Sequence, residues 1–376
     1  MLRARHPSFC CLIGLFAALV ILGTSSDASS QACFEHIRNF NYSPTNCSAQ
    51  PEIDRVFRLQ TITWKGHDYL FVDEGNEIRI FNNDNPLNPI SVASSFFGIP
   101  NVGDSDYDMV NFTVCDDCRY GMANFKAATV LFDLGTGATP SFVGVHKNFD
   151  ANLIQGGFTF WSAGQQYLVA ASLGSSPCVN NKSGLYQFNG IDEAGNPLLE
   201  CLDVDGVGTE IVNGISVLPT DRTVLYMSDR FDRFRIFEVE TSPTFGLTYL
   251  GNGGIDRANM ARGYGVSVDA SVGLMAVANA GTLDIYDIGH TSGSQNSPIL
   301  RSTTTLPAPS NANAVALKNT IVHVAQQYTT YEPQTFDVSN PSSPVALDQQ
   351  FWDPSHPWNS LGACVWNNHA VFSDDG

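Results

Sequence analysis

Gly265-Val266-Ser267-Val268, Leu274-Met275-Ala276-Val277-Ala278, Leu283-Asp284-Ile285-Tyr286-Asp287-Ile288 and Ile299-Leu300 follow one another within 36 residues. Each run is short and apolar or alternating, and clusters of Gly, Asn, Asp and Ser separate them, as in strands joined by tight turns. Four such strands make one propeller blade. The opening run, small-apolar-small-apolar, occurs seven times: Thr61-Ile62-Thr63-Trp64, Asn111-Phe112-Thr113-Val114, Gly157-Phe158-Thr159-Phe160, Gly214-Ile215-Ser216-Val217, Gly265-Val266-Ser267-Val268, Ala314-Val315-Ala316-Leu317 and Gly362-Ala363-Cys364-Val365. Their first positions are 50, 46, 57, 51, 49 and 48 residues apart, a period of radial or solenoid repetition and longer than a hairpin needs. The expectation is an all-β chain, a seven-bladed β-propeller of four-stranded antiparallel blades.

The third strand repeats as clearly, in Ile78-Arg79-Ile80-Phe81, Thr129-Val130-Leu131-Phe132-Asp133, Gly184-Leu185-Tyr186-Gln187-Phe188, Phe234-Arg235-Ile236-Phe237, Leu283-Asp284-Ile285-Tyr286-Asp287 and Gln334-Thr335-Phe336-Asp337. Alternation sends successive side chains to opposite faces, so each blade is expected to bury both. A turn rich in Asn, Ser and Pro follows, as in Asn82 to Pro89 and Ser339 to Pro344. Proline presets such a turn and has no amide to donate.

Phe336-Asp337-Val338-Ser339-Asn340-Pro341-Ser342-Ser343-Pro344 ends a strand in Asp-Val and runs on into a Ser-Asn-Pro-x-x-Pro turn. In this the chain resembles the LVIVD-repeat β-propellers of secreted and cell-surface proteins. Ile78 to Pro89 and Leu283 to Pro298 match less closely. Blades two, three and four depart further, with Gly135-Thr136-Gly137, Gly190-Ile191-Asp192 and Thr241-Ser242-Pro243 in the turn. The resemblance covers roughly residues 55–376 and implies a propeller, not a particular activity.

The seventh repeat holds only two inner strands before Gly376, ending in Asn368-His369-Ala370-Val371-Phe372. Ile37-Arg38-Asn39-Phe40-Asn41-Tyr42-Ser43-Pro44 is similar to Ile78-Arg79-Ile80-Phe81 and its turn. Residues 33–56 are therefore expected to complete blade seven with residues 357–374, which removes exposed sheet edges. The domain reading is a signal peptide at 1–30, an N-terminal closing segment at 31–56 and a propeller at 57–376.

Arg3 and Arg5 precede an apolar run from Phe9 to Leu22, and Ala28-Ser29-Ser30 suits a signal peptidase, so export and cleavage before Gln31 are expected. That run is short for a spanning helix and no later stretch reaches the required length. The formal charge is -18, and losing two arginines and Asp27 moves it to -19. An acidic surface disfavours nucleic acid and anionic lipid, and it also keeps an exported protein soluble. The expected mature protein is a secreted monomer.

Seven cysteines remain after cleavage. In an oxidising compartment neighbours pair, and the expected bridges are Cys33 with Cys47, Cys115 with Cys118 and Cys178 with Cys201. Cys364 is left over as a buried thiol. Cys115-Asp116-Asp117-Cys118 also has redox or half-zinc spacing; it ends a strand rather than opening a helix, and no second pair completes a zinc site, so a structural disulfide is the expectation. Sequons begin at Asn41, Asn46, Asn111 and Asn181.

Asp104, Asp106 and Asp108 alternate along the connection from blade one to blade two, where a calcium ion or plain solvation would suit them. The residues opening the inner strands are expected to gather at the mouth of the axial tunnel: Arg58, Asp108, Asn213, Arg262, Tyr264, Asn311 and Asn359. Their mixed charge suits a polar or anionic ligand, although strand ends also need polar groups for themselves. Asp229 to Arg235 concentrates charges and aromatics in a hairpin of blade four, either a binding tip or a solvated turn. No nucleophile elbow, zinc-protease motif, phosphate loop or dinucleotide fingerprint occurs. Two functions follow. One is a noncatalytic module that binds an extracellular protein or glycan and needs no cofactor. The other is a calcium-dependent hydrolase of the lactonase type, with Asp108, Asn213, Asn311 and Asn313 as ligands and the cation as Lewis acid.

Overall fold

The computed structural model describes residues 59–73, 77–82, 84–85, 89–96, 109–125, 129–149, 154–162, 165–172, 183–191, 197–205, 215–219, 223–229, 233–240, 246–252, 263–279, 281–290, 297–307, 311–327, 331–351, 362–366 and 369–372. Among them every regular element is a strand. The first sheet runs β1 (Leu59–Trp64), β2 (His67–Asp73), β3 (Glu77–Asn82), β4 (Ile90–Phe96), and the second β5 (Met109–Thr113), β6 (Tyr120–Phe125), β7 (Thr129–Asp133), β8 (Gly144–Phe149). The third is β9 (Ile154–Ser162), β10 (Gln165–Ser172), β11 (Ser183–Ile191), β12 (Pro197–Asp205), and the fourth β13 (Ile215–Pro219), β14 (Thr223–Asp229), β15 (Arg233–Glu240), β16 (Gly246–Asn252). The fifth is β17 (Gly263–Asp269), β18 (Leu274–Asn279), β19 (Thr282–Asp287), β20 (Ile299–Thr305), and the sixth β21 (Asn311–Lys318), β22 (Ile321–Gln327), β23 (Tyr331–Asp337), β24 (Val345–Phe351). A two-stranded sheet, β25 (Ala363–Trp366) and β26 (His369–Phe372), comes last. Every pairing is antiparallel between chain neighbours.

The alternation has the expected cause. All six residues of β18 are buried. Leu274, Ala276 and Ala278 join a core shared with the sixth sheet, while Met275 and Val277 join one shared with the fourth. Outer strand β20 instead alternates exposed and half-buried residues from Ile299 to Thr305. Between the third and fourth strands the register skips one residue beside Phe81, Tyr186, Phe237, Tyr286 and Phe336. A bulge recurring at one place in the repeat increases the right-handed twist of the outer half of each sheet.

The aspartate that ends the third strand has a local task. Asp133, Asp287 and Asp337 each accept a hydrogen bond from the backbone N–H two residues on, at 2.7, 3.0 and 2.8 Å. This turn seats the next residue: Leu134, Ile288 and Val338 are fully buried. Their N–H groups donate to the first hairpin of the same sheet, at Arg119, Gly273 and Thr320.

Neighbouring sheets are tied at their inner strands. β5 packs on β9, β13 on β17, β17 on β21, β21 on β25 and β25 on β1; the third and fourth sheets also meet through β12 and β16. An inner strand is a sheet edge, so its outward backbone groups need partners from the next sheet. Ser267 Oγ accepts from Leu317 N at 2.9 Å, and Asp269 Oδ2 from Asn319 N at 2.7 Å. The Gln60 amide accepts from Val114 N and donates to Val114 O. Buried Gln166 treats Tyr120 alike, accepting from its N at 3.1 Å and donating to its O at 2.6 Å. Thr61 Oγ1 donates to Val365 O at 3.4 Å, joining the first sheet to the last.

The close approach of inner strands explains the small residue that opens the repeated motif. A Cβ on Gly265 would stand 3.0 Å from Val315 N and 3.1 Å from Ala314 Cα. Gly265→Ala is therefore expected to lower stability by about 1–3 kcal/mol through overpacking against backbone. Equilibrium denaturation would measure it, and an unchanged midpoint would contradict the packing account.

Candidate functional site

The inner strands begin at one end of the sheets, and there their registers are irregular. Pairing skips Val110 in β5, Gln155 in β9, Tyr264 in β17 and Asn313 in β21. In three of the four the skipped residue immediately precedes the small residue of the motif. A bulge leaves its extra residue out of the ladder and re-aims the chain, a common device beside binding sites.

Behind these strand openings lie buried polar side chains at the far ends of the second strands. Asp73 closes β2 and is 0% exposed; Asn279 closes β18 at 8%, and Gln326 lies opposite Ala312 at 0%. Asn279 Nδ2 donates to Asp284 Oδ2 at 2.7 Å. On the first sheet Arg79 and Glu77 form a largely buried ion pair at 3.2 Å. These residues were not singled out from the sequence, because a polar residue ending a strand reads as a solvated turn. Their signal is positional for three of them: Asp73, Asn279 and Gln326 lie at or beside the end of a second strand, where the inner strand begins.

Of the expected mouth residues, Tyr264 is the bulged residue of β17 and Asn311 opens β21 opposite Gln327. Arg58, Asp108, Asn213, Arg262 and Asn359 lie outside the described residues, as do Asp104 and Asp106. Among the described residues no group of three or more His, Cys, Asp and Glu side chains is placed to hold a metal ion.

The Cys115–Cys118 disulfide is present, with its Cα atoms 5.1 Å apart. Cys201 is also disulfide-bonded; its expected partner Cys178, like Cys33 and Cys47, lies outside the described residues. Cys364 is free and buried, and burial pushes its thiol up to about 12. It is thus a packing residue rather than a nucleophile.

The Cys115–Cys118 loop clamps two sheets. Asp116 Oδ1 accepts from Thr63 N and Asp117 Oδ1 from Lys65 N, both at 2.7 Å, while Asp117 N donates to Thr63 O at 3.1 Å. Asp117 adopts a positive φ of 54°, which the short cross-linked loop helps to hold. Replacing both cysteines by serine should lower stability by about 2 kcal/mol from loop closure. Amide exchange at Thr63 and Lys65 should rise with it. Unaltered protection at those two amides would mean that the clamp stands without the bridge.

The comparisons agree with this architecture. The structure is similar to that of a proposed 6-phosphogluconolactonase from Bacteroides fragilis, with a TM-score of 0.56 and 10% identity over 85% of this chain and 87% of that one. It is also similar to a functionally unknown protein from Desulfotomaculum acetoxidans, with a TM-score of 0.53 and 14% identity over 77% of this chain and 84% of that one. The fold is β-propeller-like. At these identities the likeness is one of fold, and function must be argued from the site. The chain matches no family model and no curated protein. Among the described residues no helix is long and apolar enough to cross a membrane.

Proposed function

We propose that the chain is a secreted seven-bladed propeller of the LVIVD-repeat kind that binds an extracellular protein or glycan, without catalysis, on the face where its inner strands begin. The observation that carries this reading is the row of bulges at Val110, Gln155, Tyr264 and Asn313. They break the ladder at one face while the inner hairpins beneath stay in register, an arrangement that holds side chains on rigid elements.

Seven blades follow from the seven copies of the inner-strand motif, with residues 33–56 supplying the outer half of the last. Two contacts join the first sheet to the last, as a closed ring requires. Thr61 reaches Val365, and β25 packs on β1. Moreover, Ile78 and Ile80 face the second sheet, so alternation turns Glu77 and Arg79 the other way, toward the last sheet; both are nonetheless largely buried. A chain lacking residues 31–56 should lose cooperative unfolding. Retention of the full melting temperature would exclude this closure.

The binding reading is tested on an array of purified extracellular proteins and glycans. Any ligand found should bind about tenfold more weakly to a chain carrying Arg58→Ala and Arg262→Ala, with the melting temperature retained. Equal affinity would move the site elsewhere. The hydrolase alternative draws support from the activity proposed for the Bacteroides fragilis protein. In that reading Asp108, Asn213, Asn311 and Asn313 hold calcium; turnover of 6-phosphogluconolactone that stops with chelator would establish it in place of the first.

A further inference from the structure

The fifth and sixth sheets bring two bulges side by side. Tyr264 and Asn313 are the residues skipped in β17 and β21. The residues that follow them touch, since a Cβ on Gly265 would stand 3.1 Å from Ala314 Cα. Across the sheet from Asn313, Gln326 is 0% exposed, and neither its Nε2 nor its Oε1 has a hydrogen-bond partner among the described residues. Gln334 pairs with Val324, two residues from Gln326 and on the same face, and its Nε2 is also unpartnered. The contrast is with Gln60 and Gln166, whose amides are clamped on neighbouring backbone. A buried amide left unpaired costs about 1–3 kcal/mol, so a group that both donates and accepts belongs here.

We propose that this sector of the mouth is a subsite for an uncharged, hydroxyl-bearing ligand, the terminal sugar of a glycan, with Tyr264 and Asn313 at its opening and Gln326 behind them. The inference rests on the reading of this face as the binding face. Its chemistry comes from the residue set: Tyr264, Asn311, Asn313, Gln326, Gln327 and Gln334 are all neutral. A hydroxyl donates and accepts at once, which complements an amide, and one water held by the sugar can complete Gln326.

The probes are the methyl glycosides of glucose, galactose, mannose and N-acetylglucosamine at millimolar concentration, added to the nitrogen-15-labelled mature protein. At least one should shift the Gln326 side-chain amide resonance, assigned by its disappearance in Gln326→Met. Its binding should weaken about tenfold or more in Asn313→Ala and in Tyr264→Ala, with circular dichroism and melting temperature retained. The proposal is overturned if no glycoside moves that resonance, the amide then meeting a buried water only, or if both variants bind like the parent chain. Should an array protein still depend on Arg58 and Arg262 while no glycoside binds, the subsite falls and the binding face stands.

Discussion

Replacing Gly121 by alanine should destabilise the second sheet by about 3 kcal/mol, at the upper end of what overpacking does. Gly121 on β6 lies directly opposite Phe132 on β7. A Cβ there would stand 2.1 Å from Phe132 Cε2 and Cζ, well inside van der Waals contact. The ring has nowhere to go: Phe132 is 0% exposed and meets Phe142 edge-on with centroids 5.6 Å apart. It belongs to the core shared by the first two sheets, with Trp64, Phe71 and Phe112. The glycine is thus selected by the ring above it, not by its own backbone. Combining Gly121→Ala with Phe132→Leu should recover part of the loss, because two residues in contact do not add independently. Denaturant midpoints of the two single variants and the double would show this coupling. Strict additivity would mean that the ring and the glycine do not compete for the same space.

This pair shows where sequence reading succeeds and where it stops. Phe132 was legible as a buried third-strand residue because alternation repeats at each blade. The need for glycine at Gly121 was not, since it depends on which residue the register sets opposite. The small residue at Gly265 was visible as a recurrence, but its cause is the backbone of Ala314 and Val315 in the next sheet. Cys115-Asp116-Asp117-Cys118 looked like a local loop, whereas its two carboxylates serve Thr63 and Lys65, about fifty residues earlier in the chain. Bulges were invisible for a related reason: one extra residue before Gly265 or Ala314 leaves the pattern on either side intact. Tyr264 and Asn311 were picked out by their place at strand openings. Gln326 escaped because only tertiary burial separates it from a solvated strand end.

Acidification should weaken the seam between the sixth and last sheets by about 3 kcal/mol, through one imidazole. His323 is buried on β22; its Nδ1 lies 3.0 Å from Thr335 Oγ1, and its ring meets Phe372 of β26 edge-on with centroids 6.1 Å apart. Burial lowers its pKa from 6.5 to about 4. The folded state therefore resists a proton that the unfolded chain accepts. Above about pH 7 the residue is neutral in both states and has no effect. As the pH falls from about 6.5 towards 4 the unfolded chain alone takes up the proton, so stability drops; below about 4 both states are protonated and the loss is complete. Shifted carboxylates act lower in pH. Arg301 holds Asp287 below its ordinary value. At Asp269 burial pushes upward but is outweighed by hydrogen bonds from Ser271 and Asn319. Both depressed groups lose their contribution only as the pH falls below about 4. The window between pH 6.5 and 4 thus isolates His323 among the groups with resolved shifts. Unfolding free energies at pH 7.5 and 4.5 should differ by most of this amount in the parent chain, and by much less in His323→Asn, which keeps a polar group near Thr335. The same slope in both proteins would assign the acid sensitivity to other groups and leave this seam indifferent to pH.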